Sequence, residues 1–101
     1  MRIFRPWGEV DWGNQVAHVA VGAAVTAVLI FALGFILPAG LAHSLSSMAM
    51  ITFAVWREVI WQHPNECGEG CRTDLAGWIL GILIANVLAT LFLQALYGLL
   101  S

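Results

Sequence analysis

Three uncharged, mostly apolar runs occupy most of this 101-residue chain. The first extends from about Val16 to Leu37 and stops at Pro38. The second begins at Ala39 and stays uncharged to Trp56, where Arg57 and Glu58 interrupt it before Ile60 and Trp61. The third covers Leu75 to Leu100 without a charge. A helix rises ~1.5 Å per residue, so about 20 residues cross roughly 30 Å of hydrocarbon. Each run is long enough. The alternating segments of about ten residues that mark a membrane β-barrel are absent. The expectation is therefore an all-α single domain, an integral membrane bundle of three transmembrane helices. The helices fall at about 16–37, 39–61 and 75–100, behind a short N-terminal segment 1–15.

Composition excludes the main alternatives. The chain is 60% hydrophobic and 10% charged, against roughly 45–50% and about 25% in soluble domains. A soluble monomer of this size would leave much apolar surface in water. Four basic residues against six acidic ones give a net charge of −2, with no basic patch to neutralise phosphates, so nucleic acid is not a partner. The lipid bilayer is. The first run is too long for the apolar core of a signal peptide, and Glu9 and Asp11 precede it beside Arg2 and Arg5. A retained span is expected.

The link Pro38-Ala39-Gly40 is short, which makes helices one and two an antiparallel pair. All four arginines, Arg2, Arg5, Arg57 and Arg72, then share one membrane face. The positive-inside rule places that face in the cytoplasm. The expected location is the bacterial inner (cytoplasmic) membrane, N-terminus inside and C-terminus outside. Trp7, Trp12, Trp56, Trp61 and Trp78 lie near the charged side and Tyr97 near the other, as in an interfacial belt. Ligand stacking is the alternative role for the tryptophans.

Helix three carries Gly77, Gly81, Ala85 and Ala89 at four-residue intervals. Such a stripe lets another backbone approach closely in lipid. It either seals the three-helix monomer, with Ala20, Ala24 and Ala27 of helix one opposite, or joins copies into a homo-oligomer through helix three. The intramolecular use is the preferred reading. Ser44, Ser46 and Ser47 can bond to their own backbone or to a neighbour.

Ionisable residues entering apolar spans mark the candidate site. His18 lies one turn into helix one, and Arg57 and Glu58 lie in the last turns of helix two. Gln62 follows Glu58 by four residues, Arg72 stands in the second link, and Asp74 opens helix three. A mid-bilayer charge costs at least about 2.5–3.5 kcal/mol, so such groups face inward and pair. The cluster is either a salt-bridged plug that fixes helix register or a binding site. The link also holds Cys67 and Cys71. They could be free thiols, a disulfide or part of a metal site. A cytoplasmic location argues against the disulfide. Zinc usually takes four ligands, and Cys67, Cys71 and His63 give a weak set of three, with Glu66 or Asp74 as a fourth. No cofactor is expected, and no nucleotide-binding loop or serine-nucleophile motif is present.

Asp11 and His18 before and in the first helix, Glu58 with Gln62 closing the second, and Arg72, Asp74, Gly77 and Gly81 around the start of the third form a pattern. It resembles VanZ-like membrane proteins. That family places its glutamate and glutamine three apart, has an asparagine where Trp78 stands, and usually has four or more helices. The chain also resembles small phage or prophage membrane proteins with a histidine in helix one and an Arg-Glu-x-x-Gln-like end to helix two. The resemblance implies a membrane protein and leaves its activity open. The residues allow three functions. The first is a module whose cluster His18, Arg57, Glu58, Gln62, Arg72 and Asp74 engages a lipid headgroup or other polar ligand. The second is an enzyme on a lipid-linked substrate, with Glu58 or Asp74 as base, His18 as acid, and Arg57 or Arg72 on phosphate. The third is a phage holin-like lysis protein, whose size fits but whose usual orientation is the reverse.

Overall fold

A computed structural model of the chain describes residues 4–62 and 68–100. A single 3-10 turn, Trp7–Glu9, leads into helix α1, Trp12–Gly34. Helix α2, Ala39–Val55, continues directly into a π-helical segment, Trp56–Gln62, and helix α3 covers Glu69–Leu100. There is no strand among the described residues. Each of the three helices, α2 taken with its π extension, is long and apolar enough to cross a membrane.

The start of α1 follows a cap rather than hydropathy. Asp11 accepts a hydrogen bond from the Asn14 backbone N–H at 3.2 Å, satisfying one of the orphan donors of a helix N-terminus. Helix α1 consequently begins at Trp12, inside the expected N-terminal segment 1–15. It ends at Gly34, and residues 35–37 turn toward Pro38, whose φ of −56° opens α2. Helix α3 starts at Glu69 rather than at the first apolar residue. Its 32 residues extend about 48 Å at ~1.5 Å each, which accounts for most of the 52 Å long axis of the molecule.

The interior is a narrow seam. In α1 the buried positions are His18, Gly22, Thr26 and Ile30, and in α2 they are Ala42, Ser46, Met50 and Ala54. Both rows repeat every four residues, the spacing that keeps one helix face turned inward. Helix α3 contributes Cys71, Gly77, Trp78, Gly81, Ile82, Ala85 and Ala89. Large apolar side chains such as Val28, Leu83, Leu88 and Leu91 point outward, where lipid is their solvent. Small residues inside and large ones outside is the membrane pattern of helix association.

Glycine carries the closest approach. A Cβ on Gly81 would strike the Val19 carbonyl and lie 2.9 Å from the Ala23 nitrogen. A Cβ on Gly22 would lie 3.1 Å from the Trp78 carbonyl. The stripe Gly77, Gly81, Ala85 and Ala89 therefore packs within the monomer, with α1 across from it. Its counterparts at Gly81 are Val19, Gly22 and Ala23; Ala20, Ala24 and Ala27 line an apolar groove beside the seam.

Candidate functional site

The seam ends, at the charged side of the bundle, in a polar cluster built from all three helices. Glu58 is 1% exposed and His18 is 6% exposed. Glu58 Oε1 is bonded by the Arg57 guanidinium and accepts a hydrogen bond from Trp78 Nε1–H at 3.0 Å. His18 Nε2 lies 3.8 Å from the same oxygen, and His18 Nδ1 lies 3.7 Å from Asp74 Oδ1. The imidazole thus hangs between two carboxylates, just beyond direct hydrogen-bond distance of each. Gln15 Nε2–H donates to Asp74 Oδ1 at 2.7 Å and fixes that carboxylate.

Aromatic packing holds the arrangement. The His18 ring stacks on Trp78 with centroids 5.1 Å apart and an interplanar angle of 28°. Phe53 meets Trp78 edge-on at 5.8 Å, and the Arg57 guanidinium carbon lies 5.9 Å from the Trp78 ring centroid. Trp78 therefore meets four partners at once, His18, Phe53 and Arg57 through its ring and Glu58 through Nε1–H. Cys71 is buried behind the cluster, its Sγ 3.8 Å from the Glu58 carbonyl oxygen.

On the Asp74 side the cluster borders a cavity of about 140 Å³, walled by Arg5, Asp11, Asn14, Gln15, Thr73 and Asp74. The chain's N-terminal segment closes over it: the Arg5 backbone N–H donates to Thr73 Oγ1 at 3.0 Å. The Arg5 guanidinium lies against Gly70, where a Cβ would come within 2.7 Å of it. The cavity offers one guanidinium, two carboxylates and two side-chain amides. His18 Nδ1, immediately behind Asp74, is buried and makes no hydrogen bond.

Four of the six residues expected from sequence meet here: His18, Arg57, Glu58 and Asp74. Gln62 does not join them; it is exposed. The four-residue rule that put it on the face of Glu58 holds for α winding, and this segment winds as a π-helix, with i→i+5 bonds. Arg72 is half-buried on α3 and makes none of the contacts described above. Two participants were missed. Gln15 fell in the expected N-terminal segment 1–15, although it precedes His18 by three and so shares its face. Trp78 was read as an interfacial anchor, although it follows Asp74 by four and is buried. Cys71 is held in a disulfide, against the expectation drawn from a cytoplasmic location. Cys67, His63 and Glu66 lie outside the described residues. Among the described residues no group of three His, Cys, Asp or Glu side chains is placed to hold a metal ion.

No protein-family model, curated protein or solved structure matches the chain. The VanZ-like resemblance rests on its residues alone.

Proposed function

We propose that this protein is a membrane module that engages a lipid headgroup, or a soluble group of the same chemistry, in the cavity walled by Arg5, Asp11 and Asp74. The observation that carries this reading is a small polar cavity in which Arg5 meets Asp11 and Asp74. The charges of the wall favour a zwitterion. The Arg5 guanidinium suits a phosphate, and Asp11 and Asp74 suit an ammonium. Phosphatidylethanolamine carries both.

The test uses the purified full chain in detergent, with retention of short-chain phosphatidylethanolamine, phosphatidylcholine and phosphatidylglycerol followed by native mass spectrometry. Phosphatidylethanolamine is expected to bind saturably and to be displaced by free phosphoethanolamine. Asp74→Asn is expected to weaken it about tenfold, the loss of one charge-assisted hydrogen bond, with the melting temperature held. Equal retention of all three lipids by the wild type and by Asp74→Asn would sink the reading. Release of free headgroup during the assay would instead mark the site as hydrolytic.

The arginine count supports a cytoplasmic position for this face, and the Cys71 disulfide pulls the other way, toward an oxidising compartment. We take the arginines as decisive. An N-terminal epitope is expected to resist protease in intact cells and to be cleaved after permeabilisation. Cleavage in intact cells would reverse the orientation.

A further inference from the structure

A second polar set lies well away from the candidate site, on the lipid-facing groove between α2 and α3. Asn86 Nδ2–H donates to Ser47 Oγ and to the Ile82 carbonyl, both at 2.8 Å. The Thr90 hydroxyl donates to the Asn86 carbonyl at 2.8 Å, and His43 Nδ1 pairs with the Ala39 carbonyl at 2.8 Å. Asn86 and Ser47 are only half-buried, and with His43 and Ser44 they border a groove of about 450 Å³. Both Asn86 amide hydrogens are thus used. Its Oδ1 accepts nothing among the described residues, and the Ser47 O–H donates to nothing there. Asn86 follows Asp74 by twelve residues, a rise of about 18 Å, which puts it near the middle of a roughly 30 Å hydrocarbon layer. No water is at hand there to satisfy either atom.

The groove between α1 and α3 is different. It is lined by alanines, Phe31, Leu88 and Phe92 and presents no polar side chain, while the small-residue stripe beside it is consumed within the monomer. We propose that a second copy of this chain docks on the α2–α3 face, about a twofold axis along the membrane normal. The Ser47 O–H of each copy then donates to Asn86 Oδ1 of the other. The occupant must supply one hydrogen-bond donor and one acceptor at the same depth. This face supplies both, so it is complementary to itself, as a twofold interface requires. Two reciprocal bonds between helices in lipid satisfy the open donor and acceptor of both copies.

The experiment measures energy transfer between full chains carrying donor or acceptor fluorescent proteins at the N-terminus. The chains are reconstituted in phosphatidylcholine–phosphatidylglycerol vesicles over a range of protein-to-lipid ratios. The wild type is expected to associate. Asn86→Leu and Ser47→Ala are each expected to weaken association about tenfold, at roughly 0.7 kcal/mol for each of two lost bonds. Ala24→Leu, in the apolar groove, should leave it unchanged. Should Asn86→Leu unfold, Ser47→Ala alone carries the test, since it leaves the bond from Asn86 to Ile82 in place. A monomeric wild type, association undiminished in Ser47→Ala, or a loss confined to Ala24→Leu would each overturn the proposal.

Discussion

Arg57→Leu is expected to destabilise the bundle by about 3 kcal/mol, while Arg57→Leu combined with Glu58→Leu recovers most of that loss. The Glu58 carboxylate is 1% exposed, and the Arg57 guanidinium is bonded to it. Removing that cation takes a charge-assisted bond away from a buried carboxylate, which keeps the bond from Trp78 Nε1–H. Breaking a buried pair in this way typically costs about 3–5 kcal/mol, whereas replacing the pair with apolar side chains is often neutral or stabilising. The lower end applies because the Arg57 side chain keeps 28% of its surface exposed, so its interaction is partly screened. Reversible unfolding in mixed micelles with increasing sodium dodecyl sulfate measures the difference. Equal stability of the single and double variants would show that Glu58 does not depend on Arg57. The double variant also separates structure from function, because it is expected to fold and yet to lose headgroup retention.

Gly81→Leu is expected to abolish folded, monodisperse protein in detergent, and Gly98→Leu to leave its yield unchanged. The first side chain would begin inside the Val19 carbonyl, with the Ala23 nitrogen close behind. Overpacking usually costs about 1–3 kcal/mol when side chains can yield. Here the obstacles are backbone, so the helices must separate. Gly98 has nothing within 4 Å of its Cβ position. Size-exclusion chromatography with far-ultraviolet circular dichroism reads both variants. Equal losses would place the α1–α3 contact elsewhere on the helices.

The spans were legible because hydrocarbon thickness demands long apolar runs, and the runs at α1, α2 and α3 leave few other choices. The ionisable core of the site was legible for the same reason: His18, Glu58 and Asp74 stand out against apolar neighbours. What the sequence hid was local geometry. Gln62 is polar and correctly spaced for an α-helix, but the π winding from Trp56 turns it outward. Trp78 serves equally well as an anchor or as a buried donor, and only the position of Glu58 across the seam decides between them. Gln15 and the early start of α3 at Glu69 depend on polar residues near the membrane face, where hydropathy carries no signal. The Asn86–Ser47 contact required the α2–α3 register, which a short apolar link does not specify.

The close glycine contacts also have a mechanical side. Helices α1 and α3 share most of the interhelical contact in the molecule, and α2 touches α3 far less. His18 and Asp74 therefore ride on one stiff pair, while Arg57 and Glu58 ride on the more loosely held element, between the bend at Pro38 and the link that begins after Gln62. A shift of α2 changes the gap between His18 and Glu58 and leaves the gap between His18 and Asp74 as it is.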